Sequence, residues 1–341
     1  MTNLITSRRL WLGLGGTGLF LGLFFWRTDL SELGDALAQA NYRWVVPAIA
    51  VWFVSAAFRS LRWHYLLHRL ADLSTRTLYP IVIIGYMANN LLPLRTGEFV
   101  RAYVLGERHG VSKMSALGTI AVERVFDGVV LVGFLVAAGA VLGLNEELTV
   151  LAIAMSAAFA VLLALFVYVA SSPERARRWT EWAIALLPGP LRERAHALAS
   201  SFLDGLQSLQ NPSLVVLMLG VSLAAWLLEA FMYYLVGRSF SIDEGFAAYM
   251  MVAAAANLAI TLPSTSGGIG PFELLAKETL TFLGTGSAVA GAYAIALHGF
   301  LLLPVIAAGL VFLWAINLSL GRTLEEAGGG EPLAAVAEQP E

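Results

Sequence analysis

The sequence predicts an all-α polytopic membrane protein, with about six full spans and two re-entrant hairpins arranged as an inverted repeat. Three observations carry that expectation. First, 58% of residues are hydrophobic and only 13% charged, roughly half the charge of a soluble domain, and mean hydropathy is +0.73. Second, apolar stretches near 10–26, 44–58, 114–142, 148–170, 212–236 and 285–318 are long enough, or nearly so, to cross a hydrocarbon core of about 30 Å. Third, two stretches interrupt apolar sequence in the same way: Asn89-Asn90 through Pro93 to Gly97-Glu98, and Asn257 through Pro263 to Gly267-Gly268, Gly270 and Glu273. Irregular backbone at membrane depth is tolerated only where it is buried in protein or lines a wet cavity. Paired breaks in two halves point to a transport site.

Basic residues mark cytoplasmic loops and set the order of elements. Arg8 and Arg9 precede the first stretch, while Asp29, Glu32 and Asp35 follow it, so the N-terminus is expected inside. The spacing between that stretch and Ala36–Ala40 is too long for a cleaved signal, so an uncleaved first span is expected. The second span ends in Arg59, Arg62, Arg69 and Arg76, and the stretch 78–93 leads to Arg95, Arg101, Arg108 and Lys113. Positive charge on both sides of one short, proline-bounded stretch predicts a hairpin that enters from the cytoplasm and returns. Segment 114–142 then crosses outward to Asn145-Glu146-Glu147, and 148–170 returns to Arg175, Arg177, Arg178, Arg192 and Arg194. Region 171–210 mixes apolar and charged positions and reads as amphipathic helix along the inner surface. Segment 212–236 crosses outward to Asp243 and Glu244, 246–283 holds the second break, and the last stretch runs inward to Arg322. Residues 1–320 thus form one transmembrane domain, and 321–341 a disordered cytoplasmic tail.

Several motifs are weighed and set aside. Gly13 through Gly18 matches GxGxxG but lacks a strand and a βαβ context; small residues for close helix packing in lipid explain it better. His64, His68 and Asp72 share a helix face, yet no second ligand cluster accompanies them. The chain has no cysteine, which excludes disulfides, thiolate metal sites and cysteine nucleophiles. No nucleotide or metal motif is visible, so no cofactor is expected, and nucleic acid is not an expected partner.

The charged residues inside apolar sequence carry the chemistry. Glu123, Arg124 and Asp127 lie within 114–142, where each costs about 2.5–3.5 kcal/mol at a helix centre unless it pairs or faces water. Glu123 and Asp127 share a face and need a cation, which Arg59, Arg95, Arg101 or Arg124 can supply. Arg59 and Arg62 read either as residues snorkelling to the interface or as the cytoplasmic mouth of a headgroup site. Around the first break, Asn90, Arg95, Glu98 and Arg101 surround a helix start suited to an anion. In the second half, Glu229, Asn257, Ser264, Ser266, Glu273 and His298 stand out, with His298 as the counterpart of Arg124.

At these residues the chain resembles the flippase-like integral membrane family, the membrane region of lysylphosphatidylglycerol synthases and their stand-alone relatives. The matching motifs are Arg59-Ser-Leu-Arg62-Trp63, Asn90-Leu-Leu-Pro93 through Gly97-Glu98 and Arg101, Glu123-Arg124 with Asp127, and Pro263 through Gly270 with Glu273. The resemblance covers about residues 10–318 and implies lipid translocation, with these charges lining a headgroup cavity between the hairpins. The bifunctional relatives carry a soluble aminoacyl-transfer domain; only a short tail follows here, so that chemistry is not expected in this chain.

The expected function is therefore a lipid flippase of the inner membrane, both termini cytoplasmic, acting on an anionic or aminoacylated (glyco)phospholipid or an isoprenoid-linked lipid. The alternative is a membrane-embedded enzyme or enzyme subunit acting on a lipid-linked sugar or phosphate. Besides the lipid, a second copy of the chain or a lipid-synthesis enzyme is the expected partner. Arg95, Arg101 and Arg124 are expected to hold phosphate, with Glu98, Glu123 and Asp127 balancing charge.

Overall fold

The computed structural model of the protein describes residues 8–26, 28–92, 96–143, 172–185, 188–260 and 266–316, with scattered positions between 150 and 168. Among the described residues there is no strand; helices account for the architecture. They are α1 (Arg8–Trp26), α2 (Leu30–Gln39), α3 (Val45–Leu67), α4 (Thr75–Leu91), α5 (Gly97–His109), α6 (Lys113–Leu142), α7 (Pro173–Ala185), α8 (Gly189–Gly205), α9 (Pro212–Ser239), α10 (Phe246–Ala259), α11 (Pro271–Phe282) and α12 (Ser287–Ala315). The chain is an all-helical, multi-pass membrane protein. Among the described residues, four helices are long and apolar enough to cross a bilayer: Tyr42–Leu67, which includes α3, and α6, α9 and α12. The expected first span is the 19-residue α1. The expected span 148–170 lies partly outside the described residues, and its described positions are helical. The tail 321–341 lies outside them altogether.

Local chemistry sets the helix ends. Asn211 accepts the Ser213 N–H at 3.1 Å with Pro212 in the first turn, and Ser74 accepts the Thr77 N–H at 3.2 Å; both satisfy amide groups that lack intrahelical partners. Gly110 and Gly143, at φ of +66° and +67°, end α5 and α6 in the left-handed conformation that favours glycine.

Each half repeats one plan: a long helix, a helix pair broken in the middle, and a second long helix. Residues α3 to α6 form one unit and α9 to α12 the other. Their packing is related pair by pair, since α4 of the first unit packs on α12 of the second, and α10 of the second packs on α6 of the first. The equivalent helices α3 and α9 lie side by side and antiparallel. The Asn41 N–H donates to the Ser239 carbonyl at 2.7 Å, Ser55 Oγ to the Ala225 carbonyl at 2.9 Å, and Arg69 to Gln210 Oε1 at 3.3 Å. The units are therefore inverted relative to each other.

That antiparallel contact also fixes where the hairpins enter. The Trp63 indole of α3 donates to Thr119 of α6 at 3.0 Å, so the α4–α5 hairpin leaves and returns on one side. Tyr293 of α12 donates to the Tyr233 carbonyl of α9 at 3.3 Å and stacks edgewise on Phe240, so the α10–α11 hairpin leaves and returns on the other. The two breaks meet where Gly267 lies against the backbone of Asn90.

One expectation needs correction: of the N-terminal glycines, Gly15 and Gly18, with Gly22 one turn on, face open space rather than a packed helix. Instead α1 buttresses the second break, with Thr17 Oγ1 donating to the Ile269 carbonyl at 3.1 Å and Phe24 fully buried. Region 171–210 is two helices, and α8 docks on α6 through Gly205 and Gly118, where a Cβ on either would strike the other's backbone.

Candidate functional site

A cavity of about 370 Å³ lies between the two breaks, lined on one side by Trp52, Arg59 and Tyr86 and on another by Asn257, Gly267 and His298. Its wall is drawn from both units. Asn89 and Asn90 end α4, Arg124 and Asp127 come from α6, Trp226 and Glu229 from α9, and Phe272 from α11. Aromatic and polar groups therefore face one space, the composition of a small-molecule or headgroup site.

The charges form one network. Arg59 of α3 pairs with Glu229 of α9, donates to Tyr86 Oη at 3.2 Å and lies 4.4 Å above the Trp226 ring. Arg62, one turn on, grips Asp127 through both terminal nitrogens at 2.7 and 3.3 Å and donates to Ser222 at 2.7 Å. Trp226 adds its indole N–H to Asp127 at 2.9 Å. Arg101 of α5 pairs with Glu123 at 2.8 Å and rests 4.1 Å over Trp63. Arg124 lies 3.2 Å from Asp127, 3.8 Å from Glu123 and 3.9 Å from Glu98. Four arginines thus face four carboxylates among the described residues, and the balance makes their burial tolerable in a low-dielectric interior.

The reach of Arg101 depends on how closely α4 and α5 approach. They cross at Gly85 and Gly97, where an added Cβ would collide with the opposing backbone or with Arg101 itself. Asn89 Oδ1 accepts the Gly97 N–H at 2.8 Å and so caps the start of α5. The second break uses different groups. Glu273 accepts the Gly270 N–H at 2.8 Å and meets His298 Nδ1 at 2.6 Å, while His298 Nε2 donates to the Gly267 carbonyl at 3.1 Å.

Of the residues singled out in the sequence, Arg59, Asn90, Arg124, Asp127, Glu229, Asn257 and His298 line the cavity. Arg62, Arg101 and Glu123 sit behind it, each at most 5% exposed and engaged with one another. Glu98 is beside Arg124, Glu273 is beneath His298, and Ser266 opens the turn before Gly267. Arg95 and Ser264 lie outside the described residues. Snorkelling of Arg59 and Arg62 is overturned by their burial at 6% and 1%. The cation for Glu123 and Asp127 includes Arg62, which the spacing had not offered, and His298 pairs with Glu273 rather than standing in for Arg124. His64 donates to the Leu73 carbonyl at 2.6 Å, and among the described residues no three acidic, His or Cys side chains gather as metal ligands.

Sequence reasoning missed Trp52, Tyr86, Trp226 and Phe272, and took Asn89 only as part of the first break. A signal existed for two of them: Trp226 is three residues before Glu229 and Tyr86 four before Asn90, so each shares a helix face with a polar residue already noted.

The family model for the lysylphosphatidylglycerol synthase TM region matches residues 10–309. The chain belongs to that family. Among its relatives is a UPF0104 membrane protein of Methanothermobacter thermautotrophicus, 27% identical over 276 residues, covering 76% of this chain and 82% of the relative. A second UPF0104 membrane protein of that organism is 25% identical over 81% of this chain and 84% of the relative. The glycosyltransferase AglD of Haloferax volcanii is 36% identical over 153 residues, 42% of this chain but 24% of AglD. No solved structure matches the chain significantly. The family match contains both breaks and every cavity-lining residue named above.

Proposed function

We propose that this member of the family moves a lipid between leaflets, its headgroup passing through the cavity between the two breaks while its chains stay in the surrounding bilayer. The observation that carries the reading is that one cavity with both signs of charge sits where two hairpins from opposite sides meet. A site reached from both faces serves translocation, whereas an enzyme needs access from one. The lipid class favoured is an anionic or aminoacylated (glyco)phospholipid or an isoprenoid-linked lipid. Arg124 is the phosphate ligand in this reading: its side chain is 34% exposed, and its Nε has no hydrogen-bond partner among the described residues. Arg101 and Arg62 act as positioning residues that hold Glu123 and Asp127 behind it. The arginine distribution favours cytoplasmic termini, and the reading takes the membrane to be the inner one.

The similarity to part of AglD favours the second reading, a membrane-embedded enzyme or enzyme subunit. Proteoliposomes loaded with a labelled anionic phospholipid separate the two. Transport predicts leaflet exchange with unchanged lipid mass, and Arg124→Ala should slow exchange about tenfold or more, the factor set by one charge-assisted hydrogen bond. A lipid of altered mass without exchange would transfer the conclusion to the enzyme reading.

A further inference from the structure

The second break holds a site that the charge network does not use. His298 is buried at 4% and Glu273 at 8%, and the imidazole lies between two oxygens. On one side its Nε2 is 3.1 Å from the Gly267 carbonyl, and on the other its Nδ1 is 2.6 Å from Glu273 Oε1. A backbone carbonyl only accepts, so Nε2 carries a hydrogen. The 2.6 Å contact to Glu273 needs a second hydrogen between ring and carboxyl. A neutral imidazole facing a carboxylate supplies one hydrogen, not two. The arrangement therefore holds one extra proton, on the ring or on the carboxyl.

What that proton fastens is the tip of the second hairpin. Gly267, Gly268 and Gly270 sit at φ of +72°, +77° and +102°, a left-handed turn that no side-chain-bearing residue adopts without strain. Its Gly267 carbonyl is tied to α12 through His298, and the Gly270 N–H is tied to α11 through Glu273 Oε2 at 2.8 Å. Phe272 stacks on the imidazole at 4.3 Å between ring centroids, fixing its plane. Removing the proton leaves one ring hydrogen for two acceptors, so the carbonyl or the carboxylate must be released. The proton itself passes to water in the cavity that His298 lines.

The surrounding charges are accounted for. Arg59 of α3 is held by Glu229 of α9, and Arg124 of α6 by Asp127. Tyr86 of α4 accepts from Arg59, and Tyr233 of α9 accepts from Asn257. Lys277 of α11 turns away to the Phe24 carbonyl and Thr28 of the α1–α2 corner. On the α2 side, Asp29, Glu32 and Asp35 are exposed. Among the described residues, the groups able to trade a proton with the turn are His298 and Glu273.

We infer that Glu273 and His298 form a proton-binding latch that closes the second break when occupied and frees its tip when empty. Its effect on lipid passage rests on the transport reading above; the latch itself does not.

The cysteine-free chain allows a direct test. Ser266→Cys, at the head of the turn and half-buried, is labelled in proteoliposomes with a methanethiosulfonate reagent from about pH 5 to about pH 9, a window centred on the ordinary imidazole range. Rates are normalised to Ser112→Cys at the exposed start of α6, which removes the thiol's own titration. The normalised rate should rise about tenfold with pH, the factor for losing one charge-assisted hydrogen bond from a closed state. Adding Glu273→Gln should hold the rate low at every pH. Its amide oxygen still accepts from Gly270, and its NH₂ donates to a neutral imidazole, so the latch stays shut without the proton. Adding His298→Ala should hold the rate high throughout. A parent protein whose rate ignores pH, or a Glu273→Gln variant that titrates like the parent, overturns the latch. A titrating latch in vesicles that exchange no lipid overturns the transport reading and leaves the latch standing.

Discussion

At the first break, Arg101 and Arg124 of one hairpin and its following helix reach Glu123, Asp127 and Glu98, whereas at the second a histidine and a glutamate hold two backbone groups of a glycine turn. Guanidinium groups keep their charge at any physiological pH, so the first hairpin is fastened permanently. The second holds through a ring and a carboxyl that share a proton, so in the latch reading it is fastened conditionally. Two units with the same helix plan and inverted packing thus differ in whether their break is able to open. In the transport reading proposed above, one fixed and one releasable element is sufficient: the fixed half would supply the binding surface, and the other the gate.

The largest test of this comparison is topological, and its outcome is all or none. Single cysteines at Ser74 and Ser112 should label from one face of the membrane, because α3 and α6 put both ends of the first hairpin together. Cysteines at Ser241 and Thr285 should label from the opposite face. Labelling of Ser74 and Ser112 from different faces would make α4 a true span and dissolve the equivalence of the two units.

Next in size is a difference in stability. Asp127 receives Arg62 through two hydrogen bonds, the Trp226 indole and the neighbouring Arg124. Asp127→Ala strands a buried guanidinium and should cost about 3–5 kcal/mol, measured as unfolding free energy in detergent. Glu273→Gln should cost far less, since its amide still accepts from Gly270 and still meets His298. Equal losses at the two sites would show that the halves are fastened alike.

How much of this was legible in the sequence follows from range. The breaks announced themselves through Asn, Pro and Gly in apolar surroundings, and the carboxylates of α6 demanded cations because two like charges one turn apart are untenable alone. Which arginine answered was not legible. Arg62 reaches Asp127 only because α3 docks antiparallel on α9 and leans on α6, a long-range arrangement that no local spacing encodes. The same docking buries Arg59, whose place two turns from a helix end reads in sequence as an interfacial residue. His298 was visible as an oddity, but its partner lies 25 residues away across a turn whose conformation depends on three left-handed glycines. Asn89 and Asn90 were adjacent and indistinguishable by type; the helix phase sends the side chain of Asn89 back to Gly97.

The smallest expected effect concerns that cap. Asn89 Oδ1 and Glu273 Oε2 do equivalent work, each accepting the amide at or just before the first turn of the helix that follows its break, from Gly97 and Gly270 respectively. Losing such a cap costs about 1 kcal/mol. Asn89→Ala should therefore lower the unfolding free energy by roughly that amount. It should leave the arginine pairs intact, because Arg101 and Glu123 are anchored one turn and one helix further on. Amide protection at Gly97, with the base-catalysed rise of every exchange rate divided out, is the sharper readout: it should fall in Asn89→Ala and stay the same across pH, since the Asn89–Gly97 hydrogen bond joins an amide oxygen to a backbone N–H. Protection at Gly97 that follows pH as the Ser266 label does would mean the two breaks open together, and the fixed half would have to share the gate.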